Sequence, residues 1–184
     1  MQVWTAARAK PARPLGGIAS DASDKNRPPH DARKRRYAGH MKTVIIGCGR
    51  VGSTVAKRLA SEGWEVTAVD EKEGALSRLG EDWAGGFVVG HGMDTDVLRE
   101  AGIEEADAVV VATDGDNTNI VIGQVAQKRF GIDCTVVRIL DPARAEFYRQ
   151  RGMRTVCPTS TAIDVLTESV RSCEIRRDPE EVRV

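Results

Sequence analysis

From Met41 onward the chain alternates short apolar runs with longer stretches in which apolar residues recur every three or four positions, the pattern that writes parallel βαβ units. Lys42–Ile46 predicts a first strand and Arg50–Ser61 a helix stopped near Gly63. Glu65–Val69 reads as a second strand, Glu73–Leu79 as a short helix and Phe87–Val89 as a third strand. Asp94–Ala101 predicts a helix closed by Gly102. Ala108–Ala112 follows, and its unbroken Val109-Val110-Val111 suits a central strand covered on both faces. Asp116–Phe130 predicts the longest helix and Cys134–Ile139 a fifth strand. Asp141 caps a helix with Pro142 in its first turn, ending at Gly152; Thr155–Cys157 predicts a sixth strand. Thr159–Cys173 is the final helix, with Ile163, Leu166 and Val170 in an apolar stripe that fits its own sheet or a partner subunit.

Right-handed crossovers turn this series into an α/β fold: one domain with a Rossmann-type, doubly wound parallel sheet in the order 3-2-1-4-5-6. The ligand crevice of such a sheet lies at the carboxyl ends of strands 1 and 4, where the winding reverses. Four loops converge there. They carry Gly47-Cys48-Gly49-Arg50-Val51-Gly52 after strand 1, Asp70 after strand 2, Gly90-His91-Gly92 after strand 3 and Thr113-Asp114 after strand 4.

The first loop is a glycine-rich phosphate cradle in its proper context, between a strand and a helix, with an acid eighteen residues beyond Gly52. Glycines let the backbone turn tightly and approach a pyrophosphate, whose charge the N–H groups and dipole of the following helix stabilise. Asp70 suits the two hydroxyls of an adenosine ribose. Its carboxylate would repel a 2′-phosphate, which favours NAD-type or unphosphorylated adenosine ligands over NADP; the bland reading is a helix N-cap. Arg50 is placed to reach a second or third phosphate. His91, between two glycines, sits where the backbone approaches a base or ribose closely, a contact residue rather than a catalyst. Arg138 is a charge among Val136, Val137 and Ile139 and needs a partner: a ligand phosphate or an acid such as Asp114 in the functional reading, a structural salt bridge or an edge-facing position in the bland one. Asp114-Gly115-Asp116-Asn117-Thr118-Asn119 reads as a helix-capping turn whose polar groups also face the crevice.

Composition narrows the function classes. The 184 residues are 41% hydrophobic and 29% charged, and no run reaches the roughly 20 apolar residues that span a bilayer. Four scattered cysteines, without CxxC spacing or nearby histidines, suggest neither a zinc site nor a disulfide framework and fit reduced thiols in a cytosol. Net charge is zero, yet residues 1–40 hold nine Lys/Arg against three Asp, leaving eighteen basic and twenty-four acidic residues beyond. An acidic body offers no footprint for nucleic acid. The leader, residues 1–40 with Arg33-Lys34-Arg35-Arg36, lacks helical or strand spacing and is expected to be disordered. Met41, directly before the first strand, is where the chain would begin if the start codon were assigned too far upstream. Residues 174–184 read as a charged tail.

The residues from Met41 to about Cys173 resemble the nucleotide-binding lobe of RCK or KTN domains, in particular the cytosolic TrkA-type subunits of bacterial potassium uptake systems. The likeness rests on GCGRVG, Asp70 closing VTAVD, GHGMDTDVLREAGI, ADAVVVATDGDNTN, Gln124-Val125-Ala126 and Arg138 in VVRIL, all in order. It implies a regulatory ligand, NAD(H) or ATP/ADP, contacted at Gly47 to Val51, Asp70, His91, Thr113, Asp114 and Arg138, with no catalytic residue and no metal. It further implies a homo-oligomer, dimer or ring, beneath an integral membrane potassium transporter subunit. The chain would then be cytoplasmic, peripheral at the inner face of the cell membrane, and gate transport in response to nucleotide. Fuller members continue into a C-terminal lobe, whereas this sequence stops at Val184. The competing class is an NAD-dependent oxidoreductase, which needs a further lobe to hold substrate; about 28 residues after Val156 are too few for one.

Overall fold

The computed structural model describes residues 41–173; the expectations for the basic leader and the charged tail fall outside the described residues. Six strands form one sheet: β1 (Lys42–Ile46), β2 (Glu65–Asp70), β3 (Gly86–Val89), β4 (Ala108–Val111), β5 (Cys134–Arg138) and β6 (Arg154–Val156). Every pairing is parallel and the order is β3-β2-β1-β4-β5-β6, the doubly wound arrangement the alternating pattern predicts. The helices are α1 (Arg50–Ser61), α2 (Thr95–Glu100), α3 (Asp116–Lys128), α4 (Pro142–Arg149) and α5 (Pro158–Ser172), with 3-10 turns at Glu73–Arg78 and Ile103–Glu105.

Strand alternation divides the core between the two faces of the sheet. Val44, Ile46, Val109, Val111 and Val137 point to one face and pack with Leu98 of α2, Ile120 and Ile122 of α3 and Ala145 of α4. Ile45, Val66 and Ala68 point to the other, where Ala56 of α1 and Ala75 of the 3-10 turn close over them. Helices on both faces explain why β1 and β4 read as continuous apolar runs rather than alternating ones.

Elements differ from their predicted bounds where the chain's ends are decided by capping rather than by apolar spacing. Asp94 and Asp141 stand outside their helices as N-caps, accepting from the N–H groups of Asp96 and Arg144. The segment after β2 is a 3-10 turn, not an α-helix, and α3 stops at Lys128. Among the described residues the longest helix is therefore α5, at 15 residues against 13 for α3. No residue of α5 is buried, so its apolar stripe does not pack on its own sheet. Among the described residues no helix is long and apolar enough to cross a membrane.

Register sets the site. Ile46 pairs with Val69 on one side and Val111 on the other, so the loops leaving β1, β2 and β4 emerge at one level.

Candidate functional site

The glycine loop is built by close contacts that only hydrogen tolerates. Gly47 adopts φ +93°, its N–H donates to the Val69 carbonyl at 2.8 Å, and a Cβ there would stand 2.6 Å from the Thr113 nitrogen. A Cβ on Gly52 would fall 1.8 Å from the Gly47 carbonyl oxygen, so the first turn of α1 rests directly on the loop. Gly49 is different. It caps α1 at φ −74° and ψ −166° without a side-chain cap, and a Cβ there would meet nothing within 4 Å. The start of α1, whose first N–H groups have no partner within the helix, thus lines an open cavity with Gly49, Arg50 and Val51, an arrangement that suits a phosphate.

Asp70, at the end of β2, faces the same loop. Its Oδ2 accepts from the Cys48 N–H at 2.7 Å and its Oδ1 from the Lys72 N–H at 3.0 Å. Each oxygen keeps a second lone pair, so the carboxylate braces the cradle and still has capacity for ribose hydroxyls. The Cys48 side chain turns away: its thiol is buried in the second core and donates weakly to the Ala75 carbonyl at 3.7 Å. Burial, then the nearby Asp70 charge, pushes that thiol above its ordinary pKa. Cys48 therefore belongs to the cradle through its backbone alone.

On the far wall, Asn119 of α3 is fully buried and uses every hydrogen-bonding position it has. Its Oδ1 accepts from the Thr113 N–H at 3.0 Å and from the Thr113 hydroxyl; its Nδ2 donates to the carbonyls of Thr113 at 2.8 Å and Arg138 at 2.9 Å. The ends of β4 and β5 are knitted together by this one side chain. Arg138 makes no ion pair with Asp114: its guanidinium donates to the Thr113 carbonyl, while its Nε is buried without a partner. Asp116, read as part of a capping turn, reaches across to accept from the N–H groups of Leu140 at 2.7 Å and Asp141 at 3.0 Å; the N-cap of α3 is Gly115.

His91 lies exposed, its Nδ1 accepting from the Met93 N–H at 3.2 Å. Its glycine neighbours serve the protein's own packing: a Cβ on Gly90 would strike Val97 and one on Gly92 would strike Ile46.

These loops enclose a cavity of about 690 Å³, within the range of small-molecule sites. Gly47, Gly49, Arg50, Val51, Asp70, His91, Thr113, Asp114 and Arg138 line it; Cys48 and Gly52 lie behind it. Thr118, from the turn expected to face the crevice, also lines it, as do Lys72 and Arg78, which the sequence reading does not name. Lys72 follows Asp70 closely enough to be found from sequence, whereas Arg78 arrives only because the 3-10 turn folds back over the loop. Among the described residues no cluster of three His, Cys, Asp or Glu could hold a metal. The open face at Gly49 and the orphaned Arg138 Nε both fit an anionic nucleotide.

The pattern of the TrkA-N domain matches residues 43–159. Trk system potassium uptake protein TrkA of Streptomyces coelicolor is 44% identical over 124 residues, covering 67% of this chain and 56% of that protein. The chain spans between 22% and 56% of the length of the first curated relatives it matches. Two solved structures share the fold: GsuK bound to ADP, at TM-score 0.60 and 25% identity over 70% of this chain and 33% of that one, and the GsuK channel bound to NAD, at 0.53 and 20% over 68% and 24%. With the family pattern spanning most of the described residues, the chain belongs to the TrkA-N domain family.

Proposed function

We propose that the cavity binds an NAD(H)- or ATP/ADP-type nucleotide as a regulatory ligand, and that the chain gates an integral membrane potassium transporter subunit from its cytoplasmic side as a homo-oligomer. The observation that carries this reading is the uncapped N-terminus of α1 at Gly49, open to the cavity and flanked by Arg50 and Asp70. Phosphates would lie against the α1 N–H groups and Arg50, with the adenosine ribose on Asp70. The relatives' name supports potassium uptake as the setting, and the ADP- and NAD-bound GsuK structures support the ligand class.

Ligand control requires that the nucleotide bind one conformation or assembly more tightly than another. Gly49→Ala is the test, because an added methyl meets none of the protein's own atoms and Gly49 has an ordinary backbone conformation. The variant should fold with its melting temperature within about 2 °C of the parent, as substitutions away from contacts usually do. Calorimetric titration should show nucleotide affinity down by about tenfold or more, since the methyl occupies the space the pyrophosphate needs. Unchanged affinity for NAD, NADH, ATP and ADP would remove the cradle from the mechanism.

A further inference from the structure

Asn119 has consequences beyond holding two strands together. Its amide orientation is dictated by groups whose polarity is fixed: the Thr113 backbone N–H can only donate, and the carbonyls of Thr113 and Arg138 can only accept. The Asn119 oxygen must therefore face Thr113, and the Thr113 hydroxyl spends its single proton on that oxygen. Toward anything else, Thr113 presents lone pairs only. Its neighbour Asp114 is exposed on the cavity wall and likewise accepts.

We infer that Asn119 is a positioning residue that fixes Thr113 as a hydrogen-bond acceptor, so that Thr113 and Asp114 select a ligand bearing a second ribose diol over one that ends in phosphate. Two adjacent acceptors match two adjacent hydroxyls, which are donors; a terminal phosphate brings only acceptor oxygens and a charge that Asp114 repels. Arg138 supplies the opposite polarity from the same wall, for the oxygens that join the two halves of such a ligand. The site would thus prefer a dinucleotide, or ADP-ribose, to ADP or ATP. This inference rests on the nucleotide-binding reading above and narrows its ligand class.

The test is calorimetric titration of the full 184-residue chain with ADP, ATP, ADP-ribose and NAD. ADP-ribose carries the diol without the nicotinamide, so its comparison with ADP isolates the second sugar. ADP-ribose and NAD should bind at least about tenfold more tightly than ADP or ATP, the scale of one to two net hydrogen bonds. In Thr113→Val, which removes the hydroxyl and leaves Asn119 in place, the ratio of ADP to ADP-ribose dissociation constants should fall to about one to three. Asn119→Ala, which frees the Thr113 hydroxyl to donate, should lower the same ratio. A purely structural role would weaken all four ligands together and leave the ratio unchanged. Equal binding of ADP and ADP-ribose by the parent chain, or tightest binding by ATP, with its end phosphate drawn to Arg138, would overturn the inference while leaving nucleotide binding intact. Binding of none of the four would instead strike the reading on which it rests.

Discussion

Gly52 and Cys48 are the residues at which the cradle's chemistry and its stability meet. Because a Gly52 Cβ would lie 1.8 Å from the Gly47 carbonyl oxygen, Gly52→Ala forces α1 away from the loop. It should lower the unfolding free energy by about 3 kcal/mol, an overpacking cost borne by backbone atoms that cannot turn aside, and urea denaturation measures it. Gly49→Ala, three residues away, should cost almost nothing in stability, so the pair separates folding from binding within one motif. Cys48 adds a pH signature. Its thiol titrates above the ordinary value of 9.0 because the folded core excludes charge and Asp70 repels it. Below that value both folded and unfolded chains keep the proton and the thiol adds no pH dependence. As pH rises past it the unfolded chain loses the proton first, so stability falls between the unfolded and folded values. Denaturation at pH 7 and pH 10 should show a larger loss for the parent than for Cys48→Ala. The glycine spacing and Asp70 were legible because their chemistry is local to a short motif. Asn119 was not, since its role depends on two strand ends that meet only in the folded sheet.

At the scale of elements, apolar spacing located every strand and α-helix of the described residues but not how neighbouring loops are tied. The β5–α4 connection depends on Asp116 from the start of α3, whose two oxygens take the N–H groups of Leu140 and Asp141. Arg144 of α4 returns the contact by donating to Asn117. Asp116→Ala would leave two backbone donors without their partner at the junction that aims Arg138 and Leu140 into the cavity. Hydrogen bonds to a charged acceptor put the expected loss at about 2 kcal/mol, with Asp116→Asn, which retains one acceptor oxygen, recovering about half by the same urea assay. No period in the sequence encodes this tie: Asp116 looks like any first-turn acid of a helix. The 3-10 turn after β2 was misread as α-helix for a related reason, because six residues are too few for spacing to distinguish the two. The final helix escaped in the opposite sense, since its stripe was legible and what lies against it was not.

The whole molecule turns on that helix. Ile163, Val165, Leu166 and Val170 are each more than half exposed along α5, and Phe147 and Val156 are about half exposed on α4 and β6, so the described chain carries apolar surface at both its last helix and its last strand. We propose that this apolar surface is an interaction face. A second copy of the chain is the proposed occupant, because each copy would offer the same stripe and an isologous pair could cover both. Leu166 is 65% exposed, so Leu166→Lys removes no core contact, and any fall in melting temperature should come from the lost association and vanish at low protein concentration, where the parent also dissociates. If α5 joins the copies, a pair of lysines placed at the junction should shift the sedimentation coefficient from that of a dimer or larger assembly to that of a monomer. The same variant bears on ligand control. A nucleotide regulates an assembly only through unequal affinity for its states, so concentration-dependent nucleotide affinity in the parent chain should become independent of protein concentration in Leu166→Lys. A parent chain that sediments as a monomer with and without NAD would break the link between the cavity and the assembly, because nothing at the strand ends could then bias a partner through α5.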